Sequence, residues 1–167
     1  MSGPADFVLY EDEFRQLEDA LRRLRQESNA KAVFLIDKNG QQIASAGEVE
    51  QFDTTSLASL TAGNVAATDG LARLIGEKEF SILFHEVEKD NIHISIVAQR
   101  VILVVIFDER SSLGLVRLRV KKASQELNEV FARIMAKVEK EKSAAGSAFE
   151  SPFAEITDED IDSLFSE

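Results

Sequence analysis

The chain has no cysteine, which removes disulfides, thiolate metal sites and cysteine nucleophiles together and fits a reducing compartment. Long hydrophobic runs are also missing. The longest, VILVVIF at 101–107, falls far short of the roughly 20 residues a helix needs to span a bilayer. The opening MSGPADFVLYEDEF has no basic stretch followed by an apolar one, so no secretory signal is expected. Neither GxxxxGK[ST] nor a GxGxxG after a strand occurs, so no phosphate-cradling loop and no nucleotide cofactor are expected. Basic residues are scarce as well. Nineteen Lys and Arg face 30 acids, for a net charge of −11, which would repel a phosphate backbone and argues against nucleic acid as a partner.

What is present is enough for one compact domain with an extension: 167 residues, 44% of them hydrophobic. Residues 10–28 place Phe14, Leu17, Leu21 and Leu24 at helical spacing between charges, which predicts a first amphipathic helix. Residues 31–37 then read as a strand. Asn39-Gly40 supplies a tight turn, and 41–46 returns as a second strand. Asp53, Thr54 and Thr55 offer N-caps for a second helix ending at Gly76. Residues 80–87, 92–98 and 101–107 form a meander with short polar connections. A long third helix follows from Leu113 to Val138, with Val116, Val120, Ala123, Leu127, Val130 and Ile134 on one stripe.

Residues 32–36 and 101–107 are apolar at consecutive positions, so both faces of these strands should be covered. They belong at the centre of a five-stranded antiparallel sheet, expected in the order 2-1-5-4-3. Three helices distributed over two covered faces give an α/β (α+β) fold, a three-layer α/β/α sandwich. Ser143 to Gly146 is small and turn-prone and marks the expected start of a flexible linker.

Chemistry is sparse. His85 and His93 are the only histidines, on neighbouring strands with Glu86 nearby. They have too few companions for a metal site even if both face one side. Serines occur without a GxSxG context. Asp37, Asp108 and Glu109 sit at strand ends and read as solvated termini. No catalytic, metal or cofactor-binding residue is therefore expected. Arg100 and Arg110 lie in turns and read as surface charge rather than as an arginine delivered into a partner's active site. Arg117, Arg119, Lys121 and Lys122 form a basic cluster at the start of the third helix, either a solvated face or a dock for an acidic partner.

The second helix carries two kinds of side chain. Leu57, Leu60, Leu71, Leu74 and Ile75 are expected to cover the sheet. Beside them Ser59, Ala62, Gly63, Ala66 and Gly70 form a small-residue stripe. Internal glycine costs about 1 kcal/mol against alanine in a helix, so close approach of another helix is the reading that explains the stripe, with tight packing inside the chain as the alternative. The strand at 80–87 is rich in Phe and Ile and lies at an edge, where a pairing partner is useful. A two-fold dimer would use both features.

The order helix, hairpin, helix, meander, helix resembles the roadblock (dynein light-chain) family. The strings DTTSLASLTAGNVAATDGLARLIGE, FHEVEKDNIHISIV and RVILVVIFDERSSLGLVRLRVKKA look closely like its bacterial members in motility and cell polarity. The resemblance covers roughly residues 8–142, with 1–7 as a flexible N-terminus and 143–167 as linker and tail. It implies a cytoplasmic homodimer, concentrated at a cell pole, that binds a Ras-like small GTPase, two copies to one GTPase. It further implies activation of GTP hydrolysis without a catalytic site of its own. A scaffold of the same fold that anchors a GTPase or a transport complex is the alternative. The implied contact surface falls on Ala62, Gly63, Ala66, Ala67, Gly70 and Arg73, with further polarity proteins as partners at Arg117, Lys121 and Lys122.

The tail SPFAEITDEDIDSLFSE is acidic yet threaded with large apolar residues. Thr157 as N-cap with Asp160 at N3 approaches a capping box, and Ile156 with Ile161 makes a hydrophobic staple. Ile161, Leu164 and Phe165 would share one face. About two turns of helix are marginal alone in water, so the tail is expected to fold on the GTPase or the platform, with Ile156, Ile161, Leu164 and Phe165 in contact.

Overall fold

The computed structural model describes residues 10–76, 82–86 and 89–148. Apolar continuity sets the middle of its sheet. β5 (Val101–Phe107) is buried at all seven positions and pairs antiparallel with β1 (Ala32–Asp37), of which the first five residues are buried. β2 (Gln42–Gly47) pairs with β1, β4 (Asn91–Val97) with β5, and β3 (Ile82–Glu86) with β4, giving the order β2-β1-β5-β4-β3. The central pair therefore holds the two strands that read as apolar on both sides.

Register sorts the sheet residues between two layers. Phe34, Ile36, Ile94, Ile102, Val104 and Ile106 form one cluster with Ala58, Ala62 and Val65 of α2 (Thr54–Leu74). The alternate positions, among them Val33, Leu35, Leu103 and Val105, are equally buried on the opposite face. There α1 (Glu11–Ser28) contributes Leu17, Leu21 and Leu24, and α3 (Leu113–Ala148) contributes Val116, Val120 and Leu127, all buried. The helical periods read from these sequences are the ones that meet the core.

α1 and the first part of α3 are laced together. Arg23 reaches Glu126 at 2.5 Å, Arg119 and Lys122 reach Glu27 at 3.8 and 3.9 Å, and the Ser111 hydroxyl donates to the Ser28 carbonyl. Exposed pairs of this kind contribute at most about 1 kcal/mol each, so they set the pairing of the helices more than its strength. α1 ends at Asn29, whose left-handed φ of 53° lets the amides of Asn29 and Ala30 return to the carbonyls of Gln26 and Arg25. α2 starts on Asp53, whose carboxylate accepts from the Ser56 amide at 3.2 Å and the Ser56 hydroxyl at 2.8 Å. Those bonds, the hydroxyl first, hold the Asp53 carboxyl below its usual pKa.

Two connections show how the turns are made. In the β1–β2 loop the Asp37 carboxylate accepts from the amides of Asn39 and Gln41, and Gly40 alone takes a positive φ, 89°. A methyl group at Gly40 would lie 3.2 Å from the Ser59 Cα, so this glycine also lets the hairpin approach α2. The β4–β5 turn has no glycine. Ala98 and Gln99 adopt φ of 53° and 59°, and the Ala98 amide donates to the Asn128 side chain of α3 at 2.8 Å, which compensates the strain.

The helix boundaries hold one correction. α3 continues through Ser143 to Gly146, where a linker was expected, and runs to Ala148. Extending an established helix adds a hydrogen bond for each residue fixed, and Ala144, Ala145 and Ala148 favour it enough to carry Gly146 along. The chain divides into two compact units, Met1–Phe131 and Ala132–Glu167. Of the second, the described residues are the last part of α3.

Candidate partner-binding surface

α2 is oriented the opposite way from the sequence expectation. Its buried residues are Ala58, Thr61, Ala62, Val65 and Ala72. Leu60, Leu71, Leu74 and Ile75 are 74%, 60%, 84% and 67% exposed, and of the large residues only Leu57 packs against the core. The cause lies in the sheet beneath. Phe34, Ile102, Val104 and Ile106 already fill that face, so the helix fits closely only through small side chains. Weighting a helical wheel by side-chain size points it the wrong way. The usable signal was the run Ala58, Ala62, Val65 and Ala72, small residues three, four and seven apart.

The expected contact residues separate accordingly. Ala62 is 8% exposed and belongs to the core, whereas Gly63, Ala66, Ala67, Gly70 and Arg73 are exposed. A methyl group built on Gly63 or Gly70 would meet nothing within 4 Å. Taking 100° per residue, Leu60, Gly63, Ala67, Gly70, Leu71 and Leu74 fall within an arc of about 100° opposite the buried stripe. Sequence reasoning had assigned the three leucines of this arc to the sheet. Scattered surface leucines are ordinary, but a continuous apolar helix face points to a covering partner. Beside the buried stripe, the Thr68 hydroxyl returns to the Asn64 carbonyl at 2.9 Å.

The other candidates lie elsewhere. Arg117, Lys121 and Lys122 are exposed on α3, but Lys122 is engaged by Glu27. Arg110 is held by Asp108 at 3.0 Å and reaches Glu48 at 3.5 Å. Its guanidinium keeps the Asp108 carboxyl below the usual carboxylate range. The register pairs His85 with Ile92 and His93 with Phe84, so the two histidines occupy positions of opposite parity instead of sharing a face. His93 is fully buried, and burial first, then Arg117, lowers its pKa. No cluster of three metal-ligating side chains occurs among the described residues. Ile156, Ile161, Leu164 and Phe165 lie outside the described residues.

With this architecture in place, comparison with known proteins is specific. Residues 16–107 match the Roadblock/LC7 domain. The chain belongs to the Roadblock/LC7 family. This roadblock chain is similar to Myxococcus xanthus MglB, at 60% identity and a TM-score of 0.71, over 74% of this chain and 92% of that one. The gliding protein MglB from Thermus thermophilus is 31% identical, with a TM-score of 0.67, over 71% and 90%. An MglB described with a tetrameric arrangement is 29% identical, with a TM-score of 0.68, over 73% and 92%. A comparison with curated proteins gives no match. No helix among the described residues is long and apolar enough to cross a membrane.

Proposed function

We propose that this roadblock protein is a homodimeric regulator that binds a Ras-like small GTPase of the MglA type and stimulates its GTP hydrolysis, in bacterial cell polarity and motility. The observation that carries the reading is the outward face of α2, where Leu60, Leu71 and Leu74 stand exposed beside Gly63 and Gly70. Covering one such leucine gains about 1.5–3 kcal/mol. A two-fold contact presents the same face twice and doubles that gain. β3 ends the sheet, so strand pairing across the two-fold can accompany helix pairing. The 60% identity to an MglB supports the same reading.

The regulator acts on the GTPase's own machinery. Arg110 is already committed to Asp108 and Glu48, which speaks against its delivery as a catalytic arginine. Ala66, Ala67, Gly70 and Arg73 contribute the platform for the GTPase, two copies of the roadblock chain to one GTPase, and the tail with Ile156, Ile161, Leu164 and Phe165 docks on the complex. Phosphate release by the GTPase with GTP, measured alone and with the roadblock protein, tests this. Acceleration is the expected result. Binding without acceleration would select a scaffold role, and a chain ending at residue 142 reads out the tail's share.

A further inference from the structure

The end of α1 and the loop after β5 enclose a cleft of about 500 Å3, lined by Arg25, Gln26, Asn29, Ala30 and Arg110. It lies apart from the outward face of α2, and the function proposed above does not use it. Among the described residues, two guanidiniums and two carboxamides line it and no carboxylate does. Its walls are fixed. Arg25 Nε donates to the Ala30 carbonyl at 3.2 Å, and its stem lies against Gly47, where a methyl would come within 3.1 Å of the Arg25 Cγ. The terminal nitrogens of Arg25 have no acceptor among the described residues. Opposite, Arg110 Nε is held by both Asp108 oxygens at 3.0 and 3.1 Å and its Nη2 already reaches Asp108 at 3.0 Å and Glu48 at 3.5 Å, so Arg25 offers the open fork and Arg110 adds charge beside it. The Ser111 hydroxyl, donating to the Ser28 carbonyl, ties the loop to the helix end.

We propose that this cleft binds the carboxylate of an Asp or Glu side chain in an acidic segment of a partner protein. A guanidinium held at Nε presents its terminal N–H pair as a fork that matches a carboxylate. Charge selects a single negative charge over a double one. Asp108 and Glu48 offset Arg110, the C-terminal end of α1 is the negative end of its dipole, and the chain carries −11 overall. Those terms oppose a phosphate dianion more than a carboxylate. The Gln26 and Asn29 amides both donate and accept, which suits the peptide backbone on either side of the acidic residue.

The test is titration of the full-length, nitrogen-15-labelled protein with the blocked peptide GDEDG, followed at the arginine Nε–Hε signals and the Ala30 and Arg110 backbone amides. Blocked GNQNG and inorganic phosphate serve as comparison probes. Saturable shifts with GDEDG are expected, at least tenfold tighter than with either comparison probe, and weakening as salt rises. Arg25→Gln should weaken binding at least tenfold. Arg25→Lys keeps a charge without the fork and should fall between, and Arg110→Gln should reduce affinity a few-fold with the α1 cap intact. No saturable shift at these signals, an equal response to GNQNG, phosphate binding as tight as GDEDG, or unchanged affinity in both Arg25→Gln and Arg110→Gln would each overturn the proposal.

Discussion

On one face of the sheet, Phe34, Ile102 and Val104 meet a helix that answers with Ala58, Ala62 and Val65. On the other, Val33, Leu103 and Val105 lie beneath helices that bring Leu17, Leu21, Leu24 and Leu127. Bulk is supplied by the sheet in the first case and by sheet and helices together in the second. Both faces close, but they leave different remainders. The thick face buries most of its large side chains, with Leu118 of α3 left 61% exposed, and adds ion pairs between α1 and α3. The thin face needs only alanine-sized groups, so α2 keeps three leucines facing outward. A difference in packing depth thus becomes a difference in what each side offers to other molecules.

The contrast can be broken from the thick side with the largest effect. Leu127→Ala should lower stability by about 2–5 kcal/mol, the cost of a buried cavity, read as a lower urea midpoint at unchanged slope. On the thin side the damaging direction is reversed. Ala62→Leu should cost about 1–3 kcal/mol by overpacking, because the sheet beneath is already full. An unchanged midpoint would mean that α2 can lift away without loss.

A third prediction uses the buried polar pair of the thick face, His93 and Ser95, whose side-chain nitrogens and hydroxyl have no hydrogen-bond partner among the described residues. Burial, and secondarily Arg117, holds the His93 pKa below its ordinary value. The folded protein therefore keeps this imidazole neutral, while the unfolded chain takes up a proton as pH falls through about 6.5. Stability should be fully retained above that range and lost below it. His93→Leu should flatten the dependence when the urea midpoint is followed from about pH 7.5 to about pH 5.5, and an identical slope in both proteins would assign the acid sensitivity to other groups.

The smallest effect on stability belongs to the outward leucines. Leu60→Ser with Leu71→Ser should change monomer stability by no more than about 0.5 kcal/mol per site, yet weaken self-association by at least tenfold in sedimentation. An unaltered oligomeric state would remove this face from the proposed dimer.

Much of this contrast was legible in the chain. The unbroken apolar runs of β1 and β5 placed both strands at the centre, and α1 and the start of α3 showed their stripes at the spacing that the core uses. Gly40 and Gly76 stand where left-handed residues were expected, with φ of 89° and 78°. What failed depended on depth. Nothing local to α2 reports how much volume the sheet has already filled, so its spacing points the large residues inward while the fold turns them outward. The extension of α3 to Ala148 was missed, and the left-handed backbone of the Ala98–Gln99 turn carries no local signal, for related reasons. Each is decided by something distant in sequence, a helix already nucleated or the Asn128 side chain. The two histidines read as ordinary strand residues, and which face each serves is decided by the β3–β4 register, which the sequence does not report.

The alanine seam beneath α2 also bears on how such a protein changes over generations. Substitutions at Leu60, Ala67, Leu71 or Leu74 touch no core contact, whereas the seam itself tolerates almost none. A change on the outer arc can therefore retune the choice of companion without first costing the fold.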